Sequence, residues 1–486
     1  MKTRNFIVIF VVAACALLFL ADSPGWADRP VKVPKPKPTQ PPDEDPPPMD
    51  YPFYFWRLGH MDGPHDSSQA LGISRDGKVA VGSTVVVEFV KAWRMDIDWA
   101  IATDDGVPPL YNELQVQESI GGEAAYAASD MTVDTCPYDK VAENLDWCGS
   151  LPVGTLTTGT VSYAAEWLWA YDAEAAEPNY LAIPDFGGGI SDMTVNDVSV
   201  DGFVLVGTGN TKTGMQAFRA DTTVVDENGV PVPAQLTITD TFYTEQTLQT
   251  SSAQAVSADG LIIAGYGGTK TGNKAFVTTF LGIDGTTGEA ILESYVLPAI
   301  DGGQWSEAYA MTPDGLYIAG RSDSPKGPQA CIWFQGDDPA TPDVETWVVK
   351  GLGGLSTKKY DSVATGIVQR PGAPDGELLV VGSSKSILYP SEAFVWSGNP
   401  VLEENVMDDG VPGYIYDLEY ILIKTGAGEA SGMGSSWILN EATGVAVNDD
   451  LTARIVGWGI NPEGGVEAWL AAEFPYGELE PLFVKE

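Results

Sequence analysis

Histidine, cysteine and positively charged residues are all scarce in this 486-residue chain. It has two histidines and four cysteines, too few for the His- and Cys-rich clusters that usually hold zinc. Lysine and arginine together number 26 against 67 acidic residues, which gives a net charge of −41. Because nucleic-acid binding needs a cationic surface that displaces counterions, the composition argues against DNA or RNA as a partner.

Long apolar runs are also lacking, except near the N-terminus. Lys2 and Arg4 precede an apolar run over residues 6–20, which is shorter than the roughly 20 residues of a membrane-spanning helix. Small residues before a cut after Ala27 complete the pattern of a secretory signal peptide over residues 1–27. A lipoprotein anchor at Cys15 is the alternative, because Val12-Ala13-Ala14-Cys15 fits that pattern.

These features predict a secreted protein, extracellular or on the cell surface, with the periplasm as a further compartment and no transmembrane segment in the mature chain. Residues 28–52 are rich in proline and predict a semi-rigid linker, or a proline ligand for another module. The strong negative charge favours a monomer through self-repulsion. Calcium would relieve that repulsion and stays open as a bound ion, with no other cofactor expected.

Residues 53–486 contain an internal repeat with an Ala-rich strand, a turn often carrying Asp-Gly, a β-branched strand ending in Gly, and a strand with Ala before an aromatic residue. The Gly-ending strand is found seven times, as Val79–Gly82, Trp147–Gly149, Leu205–Gly207, Ile263–Gly265, Ile318–Gly320, Val380–Gly382 and Ile455–Gly457. In the second copy the aromatic strand is assigned to Ala165-Glu166-Trp167.

Each repeat has room for about four short strands, and no such unit can bury both of its faces alone. The repeats therefore predict an all-β fold, a seven-bladed β-propeller of four-stranded sheets. An open β-sandwich array is the alternative. We expect residues 54–58 to close the ring by adding a strand to the last sheet.

The repeat resembles the HAF family of probable extracellular repeat proteins. The resemblance is carried by Leu352-Gly353-Gly354-Leu355-Ser356 and the residues up to Trp396, and by a C-terminal unit that contains Ile455–Gly459 and Glu467–Leu470. It covers residues 54–473 and implies secretion and a repeat fold. It supplies no catalytic residues.

Candidates for chemistry are few. His60 and His65 share one loop with two aspartates, which suggests either a metal site or an ordinary loop variation. Asp197-x-Ser199-x-Asp201-Gly202 opens like a calcium loop, but Thr208 stands where the bidentate Glu is required, so a hairpin turn is favoured. We assign no catalytic or metal-binding residue.

Two interpretations concern cysteine. Cys136 and Cys148 lie in an insertion of the second repeat and are predicted to form a disulfide in an oxidising compartment. Cys331 lies in an aromatic strand, where a buried free thiol is favoured over a nucleophile.

The positive charges are placed unevenly. Lys212, Lys270, Lys326 and Lys385 all follow a Gly-ending strand and precede an aromatic strand. In a propeller this connection shares one face with the loops between blades, which we expect to contain Lys358-Lys359, Trp305 and Tyr309. These residues predict a cationic, aromatic-bearing rim that binds an anionic polysaccharide, although lysines also simply keep exposed loops soluble.

The sequence therefore favours a secreted, non-enzymatic binding or cell-surface interaction module, with an anionic polysaccharide or an envelope protein as its partner. A carbohydrate-active hydrolase or lyase with an acidic site at the mouth of the ring is the alternative, and a purely structural envelope component is a third. Carboxylates with shifted pKa values converging there would favour the enzyme. The small residues of the inner strands favour the scaffold.

Overall fold

The structure is a computed structural model, and it describes residues 54–59, 67–86, 89–97, 118–119, 124–128, 152–158, 161–167, 180–183, 193–212, 214–225, 231–236, 239–240, 246–287, 289–338, 341–356, 359–369, 377–401, 414–424, 437–448 and 452–474. The predicted signal peptide, the linker, His60, His65, Cys136, Cys148 and Lys358 lie outside these residues.

The described strands form seven antiparallel sheets of four strands and one of two strands. Strand β1 (Tyr54–Gly59) comes first. Sheet 1 contains β2 (Ser67–Ile73), β3 (Val79–Val86), β4 (Phe89–Asp96) and β5 (Glu118–Ser119). Sheet 2 contains β6 (Ala124–Ala128), β7 (Pro152–Thr158), β8 (Val161–Trp167) and β9 (Tyr180–Ile183). Sheet 3 contains β10 (Met193–Val198), β11 (Val204–Thr211), β12 (Gly214–Val225) and β13 (Pro231–Gln235).

The two-stranded sheet, β14 (Thr239–Asp240) with β15 (Gln246–Thr247), precedes sheet 4 along the chain. Sheet 4 contains β16 (Thr250–Val256), β17 (Ile262–Thr269), β18 (Gly272–Ile283) and β19 (Ala290–Val296). Sheet 5 contains β20 (Ser306–Met311), β21 (Tyr317–Ser322), β22 (Gln329–Asp338) and β23 (Thr341–Gly353).

Sheet 6 contains β24 (Ser362–Gln369), β25 (Leu378–Ser384), β26 (Glu392–Gly398) and β27 (Tyr414–Asp417), and helix α1 (Leu418–Lys424) follows β27 directly. Sheet 7 contains β28 (Ile438–Val447), β29 (Ala453–Ile460) and β30 (Val466–Phe474), with β1 as its fourth strand. The expected closure by the N-terminal strand is confirmed, because β1 pairs antiparallel with β30. Among the described residues, no helix is long and apolar enough to span a membrane.

The sheets pack by one rule. The first strand of each sheet contacts the second and third strands of the sheet before it, and the first strand of sheet 1 contacts sheet 7 in the same way. The side chains buried between neighbouring sheets form the core. For example, Met311 and Trp333 of sheet 5 pack against Ala264 and Val277 of sheet 4. This is a β-propeller arrangement, and the expectation of an all-β propeller built from four-stranded repeats is confirmed.

The glycine of the Gly-ending strands is required because its neighbours leave no room for a side chain. In five sheets the marker glycine pairs with the aromatic residue of the third strand, as Gly457 does with Trp469. A Cβ added at Gly457 would lie 2.1 Å from the carbonyl oxygen of Glu441 and 2.4 Å from the Trp469 ring. No side chain fits between the inner strand and the indole, so the site requires glycine.

The prediction for the second repeat is wrong in register. The second strand of sheet 2 is β7, in which Gly154 pairs with Ala125 as Gly265 pairs with Ala253 in sheet 4. The marker is therefore Gly154 and not Gly149. Ala165 pairs with Gly154 as Cys331 pairs with Gly320 in sheet 5, so Ala165-Glu166-Trp167 lies in the third strand, as predicted.

The alanine before the aromatic residue belongs to a hydrogen bond between sheets. Its backbone N–H donates to the Oγ of a serine at the start of the next inner strand. The bonds are Ala217 to Ser251 at 2.9 Å, Ala275 to Ser306 at 3.0 Å, Ala330 to Ser362 at 2.8 Å and Ala468 to Ser68 at 3.0 Å. These bonds satisfy buried amide groups and fix the position of one sheet relative to the next.

Each inner strand also contains a β-bulge at one equivalent residue. The bulged residues are Leu71, Tyr126, Asn196, Gln254, Tyr309, Thr365 and Thr443. Three of them reach the next inner strand, where Asn196 donates to the carbonyl of Ala253, Thr365 to that of Ala442 and Thr443 to that of Ala70. A bulge turns its side chain out of the regular alternation, and here it links adjacent sheets at the ring interior.

The Asp-Gly segments are hairpin turns, as predicted. Ser199 Oγ donates to Asp201 Oδ1 at 2.6 Å and accepts from the N–H of Val204 at 2.9 Å, while Gly202 has a φ of 78°. Turns with the same bonds follow Ser74, Ser257 and Thr312. Asp201 Oδ1 also accepts from the N–H of Phe203, so the turn itself uses this oxygen.

Candidate functional site: the lysine face

The four predicted lysines occupy one structural position in four consecutive sheets. Lys212, Lys270, Lys326 and Lys385 lie in the hairpins between the second and third strands of sheets 3, 4, 5 and 6, and all are exposed. Connections alternate between the two ends of an antiparallel sheet, so these hairpins share an end with the loops that lead to the next sheet. We call this end the lysine face and the end with the Asp-Gly turns the turn face.

The first two lysines are presented by equivalent turns. Thr211 Oγ1 donates to the carbonyl of Gly214 at 2.7 Å, and Thr269 Oγ1 donates to that of Gly272 at 2.6 Å. Both glycines have positive φ, 131° and 121°. The Thr-Lys-Thr-Gly segment therefore closes a tight hairpin whose lysine points away from the sheet into solvent.

The hairpins rest on the loops before the following inner strands. Lys274 Nζ donates to the carbonyl of Gln304 at 2.6 Å, and the carbonyl of Lys326 accepts from the N–H of Tyr360 at 3.0 Å. The Lys326 ammonium donates to the Tyr360 hydroxyl at 3.1 Å and lies 5.1 Å from the ring centroid. In sheet 6 the N–H of Lys385 instead donates to the carbonyl of Asp361, which precedes the inner strand of the same sheet, at 2.8 Å. Lys359, in the loop before β24, is exposed.

Trp305 lies on the lysine face at the loop before β20, as predicted. The Arg321 guanidinium stacks on it at 4.8 Å from the ring centroid. On the sheet 4 side, Gly272 lies close beneath Trp305, because an added Cβ there would lie 3.1 Å from the Trp305 Cβ. Trp305 therefore connects the Lys270 hairpin to the inner strand of sheet 5.

Tyr309 is not in the loop with Trp305. It is the bulged residue of β20, its ring lies 5.7 Å from that of Tyr266, and its hydroxyl donates to Glu307 Oε2 at 2.6 Å. Burial, together with the Glu307 carboxylate, raises the pKa of Tyr309. Its phenol stays protonated and belongs to an internal network.

That network centres on Glu307. Its carboxylate accepts from Asn273 Nδ2 at 2.5 Å and from the Tyr309 hydroxyl, and its Oε2 lies 3.4 Å from Arg321 Nε. Sheet 4 supplies Asn273 and sheet 5 the other three residues. The network positions Trp305 through Arg321, and the sequence pattern did not predict it.

A second group of polar residues lies where sheet 6 meets sheet 7. Glu392 begins β26, Asp417 ends β27 and Glu419 lies in α1, where its Oε2 accepts from the N–H of Leu439 at 3.4 Å. We call these three residues the acid trio. Burial raises all three pKa values, and repulsion by Asp417 and Glu392 helps to raise the pKa of Glu419 to about 7.

A third group lies on the turn face. Arg75, from the first turn of sheet 1, donates through Nη2 to the carbonyl of Val256 in sheet 4, and its Nη2 lies 3.5 Å from Asp197 Oδ2 in sheet 3. Asp197 also accepts from the N–H groups of Val198 and Val256, each at 2.8 Å. Arg75 therefore reaches past sheet 2 and joins three sheets at the ring interior.

The structure also places the calcium-like segment and Cys331, the remaining candidates from the sequence. Asp197, the first residue of the calcium-like segment, pairs with Arg75, and Asp201 belongs to its turn, so the two carboxylates serve different contacts. Cys331 is buried and free, and burial raises the pKa of its thiol well above the usual value, as expected of a core residue. Within the described ranges, no group of three His, Cys, Asp or Glu side chains is arranged to hold a metal ion.

Comparisons with known proteins give structural neighbours only. No protein-family model and no curated protein matches the sequence. TolB from Acinetobacter baumannii aligns with a TM-score of 0.34 and 11% identity over 87% of this chain and 98% of its own. A putative TolB from Agrobacterium tumefaciens aligns at 0.30 and 14% over 67% and 87%. Porphyromonas gingivalis dipeptidyl peptidase 4 aligns at 0.29 and 10% over 85% and 53%.

Proposed function

We propose that the protein is a secreted, non-enzymatic interaction module of the HAF type, whose seven four-stranded sheets are the blades of one ring. Its lysine face binds an anionic polysaccharide, with an envelope protein as the other partner class. The blade count is supported by the order of sheet contacts, which returns from sheet 7 to sheet 1.

The placement of the lysines carries the proposal. The chain has only 26 lysines and arginines against 67 acidic residues, yet it presents four exposed lysines from equivalent hairpins of consecutive sheets. Their charges form an arc beside the partly exposed Trp305, whose indole is held in place by Arg321. Repeated anionic groups along an extended glycan match a repeated cation, and an aromatic ring adds stacking against a sugar.

A glycan-binding screen tests this function. The Lys212, Lys270 and Lys326 triple alanine variant should lose selective binding to sulfated or uronate glycans, because each exposed ammonium contributes electrostatic attraction. Its control replaces Lys78 and Lys350, which lie outside these hairpins, with alanine. Equal binding by both variants, or no glycan binding by the unaltered protein, would contradict the proposal.

The acid trio favours a second candidate, a carbohydrate-active enzyme. A carboxyl group with a pKa near 7 beside two other carboxylates has the properties of a general acid in glycoside cleavage. Loss of hydrolysis in Glu419→Gln and in Asp417→Asn would support it. A screen of polysaccharides that detects no hydrolysis or lyase product at any pH would refute it.

A further inference from the structure

The hairpin between β25 and β26 exposes large apolar side chains. Ile387 is 86% exposed and Leu388 76%, the highest values for large hydrophobic residues in the described part of the chain. Tyr389 follows at 38%. This hairpin occupies the position that carries Thr-Lys-Thr-Gly in sheets 3 and 4, so sheet 6 presents an apolar tip where its counterparts present polar ones.

The tip has a defined conformation. Ser386 Oγ accepts from the N–H groups of Leu388 and Tyr389, each at 3.0 Å, and the N–H of Ser386 donates to the carbonyl of Tyr389 at 3.1 Å. The turn is thus closed by its own hydrogen bonds and not by burial of Ile387 or Leu388. A preformed apolar projection has a low ordering cost on binding.

Helix α1 contributes further exposed apolar side chains at the same end of sheet 6. Leu418, Ile421 and Leu422 are buried in the core shared by sheets 6 and 7, whereas Tyr420 is 49% and Ile423 40% exposed. Both α1 and the hairpin lie at the end of sheet 6 that belongs to the lysine face. We call Ile387, Leu388, Tyr389, Tyr420 and Ile423 the sheet 6 patch.

The acid trio adjoins the patch. Ser386, which closes the apolar hairpin, hydrogen-bonds to Glu392, and Glu419 lies on α1 between Leu418 and Tyr420. The groups that face Glu419 are Asp417 from β27, Glu392 from β26 and the Leu439 N–H from β28. Glu441, further along β28, instead accepts from Trp458 Nε1 at 3.1 Å. Lys385 stands before the hairpin as the neighbouring cation.

We propose that the sheet 6 patch is a docking surface for a cationic amphipathic segment of another protein, which places apolar side chains on Ile387 and Leu388. A lysine or arginine of that segment lies against Asp417 and Glu419, the two partly exposed members of the acid trio. Charge complementarity selects this partner. Three adjacent carboxylates repel an anionic membrane surface and another copy of this acidic chain, whereas a cation relieves their mutual repulsion. The surface adjoins the lysine arc at Lys385 but needs a ligand of opposite charge.

Titration of the full-length mature protein with a short amphipathic peptide of leucine and lysine tests the proposal by fluorescence anisotropy. Replacing the peptide lysines with glutamate should abolish binding. The Ile387→Ser, Leu388→Ser double variant should weaken binding by about tenfold or more, since two exposed apolar anchors are lost. Leu281→Ser, at a residue 59% exposed on sheet 4, is the matched control and should bind normally.

The acid trio makes a separate, pH-dependent prediction. Because a cation favours the ionised form of Glu419, peptide affinity should rise as the pH passes about 7 and level off above it. Glu419→Gln should weaken binding by about tenfold at about pH 8 and have little effect at about pH 5.5, where Glu419 is already protonated. Asp301→Asn, an exposed carboxylate on the loop before β20, is the control and should leave the pH profile unchanged.

Several outcomes would overturn the docking surface. These are equal binding of the leucine–glutamate peptide, unchanged affinity in the double serine variant, or a flat pH profile. Binding to vesicles of phosphatidylcholine and phosphatidylglycerol without peptide binding would assign the patch to a membrane instead. The triple lysine variant separates this proposal from the glycan-binding function, because it should still bind the peptide.

Discussion

The ion pair between Arg75 and Asp197 should stabilise the propeller more than a surface salt bridge does. The two side chains are 19% and 21% exposed and lie 3.5 Å apart. At an effective dielectric constant of about 20, two unit charges at this separation attract by about 5 kcal/mol, an upper bound before desolvation is subtracted. Removing one partner from a mostly buried pair costs about 3–5 kcal/mol, and partial exposure reduces this to about 2–3 kcal/mol.

Arg75→Met should therefore lower the free energy of unfolding by about 2–3 kcal/mol at neutral pH, since it leaves the Asp197 carboxylate buried without its cation. The double variant Arg75→Met, Asp197→Asn should cost less than the sum of the single variants. Urea unfolding followed by tryptophan fluorescence measures all three free energies. Lys78→Met, three residues along the same turn segment at a half-exposed position, provides the control.

The pH dependence gives this prediction a second, independent test. Burial raises the pKa of Asp197 above its ordinary value, and Arg75 opposes that shift. A carboxyl group whose folded pKa is raised favours the folded state at low pH and loses that contribution as the pH rises through the folded pKa. Without Arg75 the raised pKa moves higher, so the deficit of Arg75→Met should be largest near pH 7 and shrink toward about pH 4. A deficit that is equal at both pH values, together with additive single variants, would refute the reasoning.

Three further predictions concern the seams and the acid trio. Gly457→Ala should lower the free energy of unfolding, measured by calorimetry, by at least about 2–3 kcal/mol, because its Cβ would overlap Trp469 and the Glu441 carbonyl. The control is Gly464→Ala, where no atom lies within 4 Å of the added Cβ, and it should cost only the strain of the φ of 86°. Ser306→Ala should cost about 1–2 kcal/mol in urea unfolding by leaving the buried Ala275 N–H without its acceptor, and Ser306→Thr, which keeps the hydroxyl, should recover part of that loss. Glu419→Gln should stabilise the protein above pH 7 and progressively less as the pH falls toward about 4.5, because the raised pKa makes ionisation of Glu419 unfavourable in the folded state. A melting temperature that is unchanged at high pH would contradict this prediction.

Local patterns in the sequence predicted the repeat, the Asp-Gly turns, the propeller and the role of β1. These features are legible because a hairpin turn and a strand that must accept an aromatic neighbour each depend on residues a few positions apart. The sequence also predicted that the lysines share one face, because equivalent positions in a repeat acquire equivalent positions in space. It failed for the second strand of sheet 2, because an insertion interrupts the pattern there and the marker glycine is Gly154 instead of Gly149.

The tertiary structure decided which distant side chains meet. Arg75 and Asp197 belong to different repeats, and neither repeat contains a signal for the other residue. Glu307 and Asn273 meet across the seam between sheets 4 and 5, and Tyr309 joined this network because a bulge changed the direction of its side chain. Glu392 meets Asp417 and Glu419 only because β26, β27 and α1 pack together, and the burial that raises the three pKa values follows from this packing. Sequence repetition thus determined where each strand and turn lies, whereas packing between sheets determined which charges face one another.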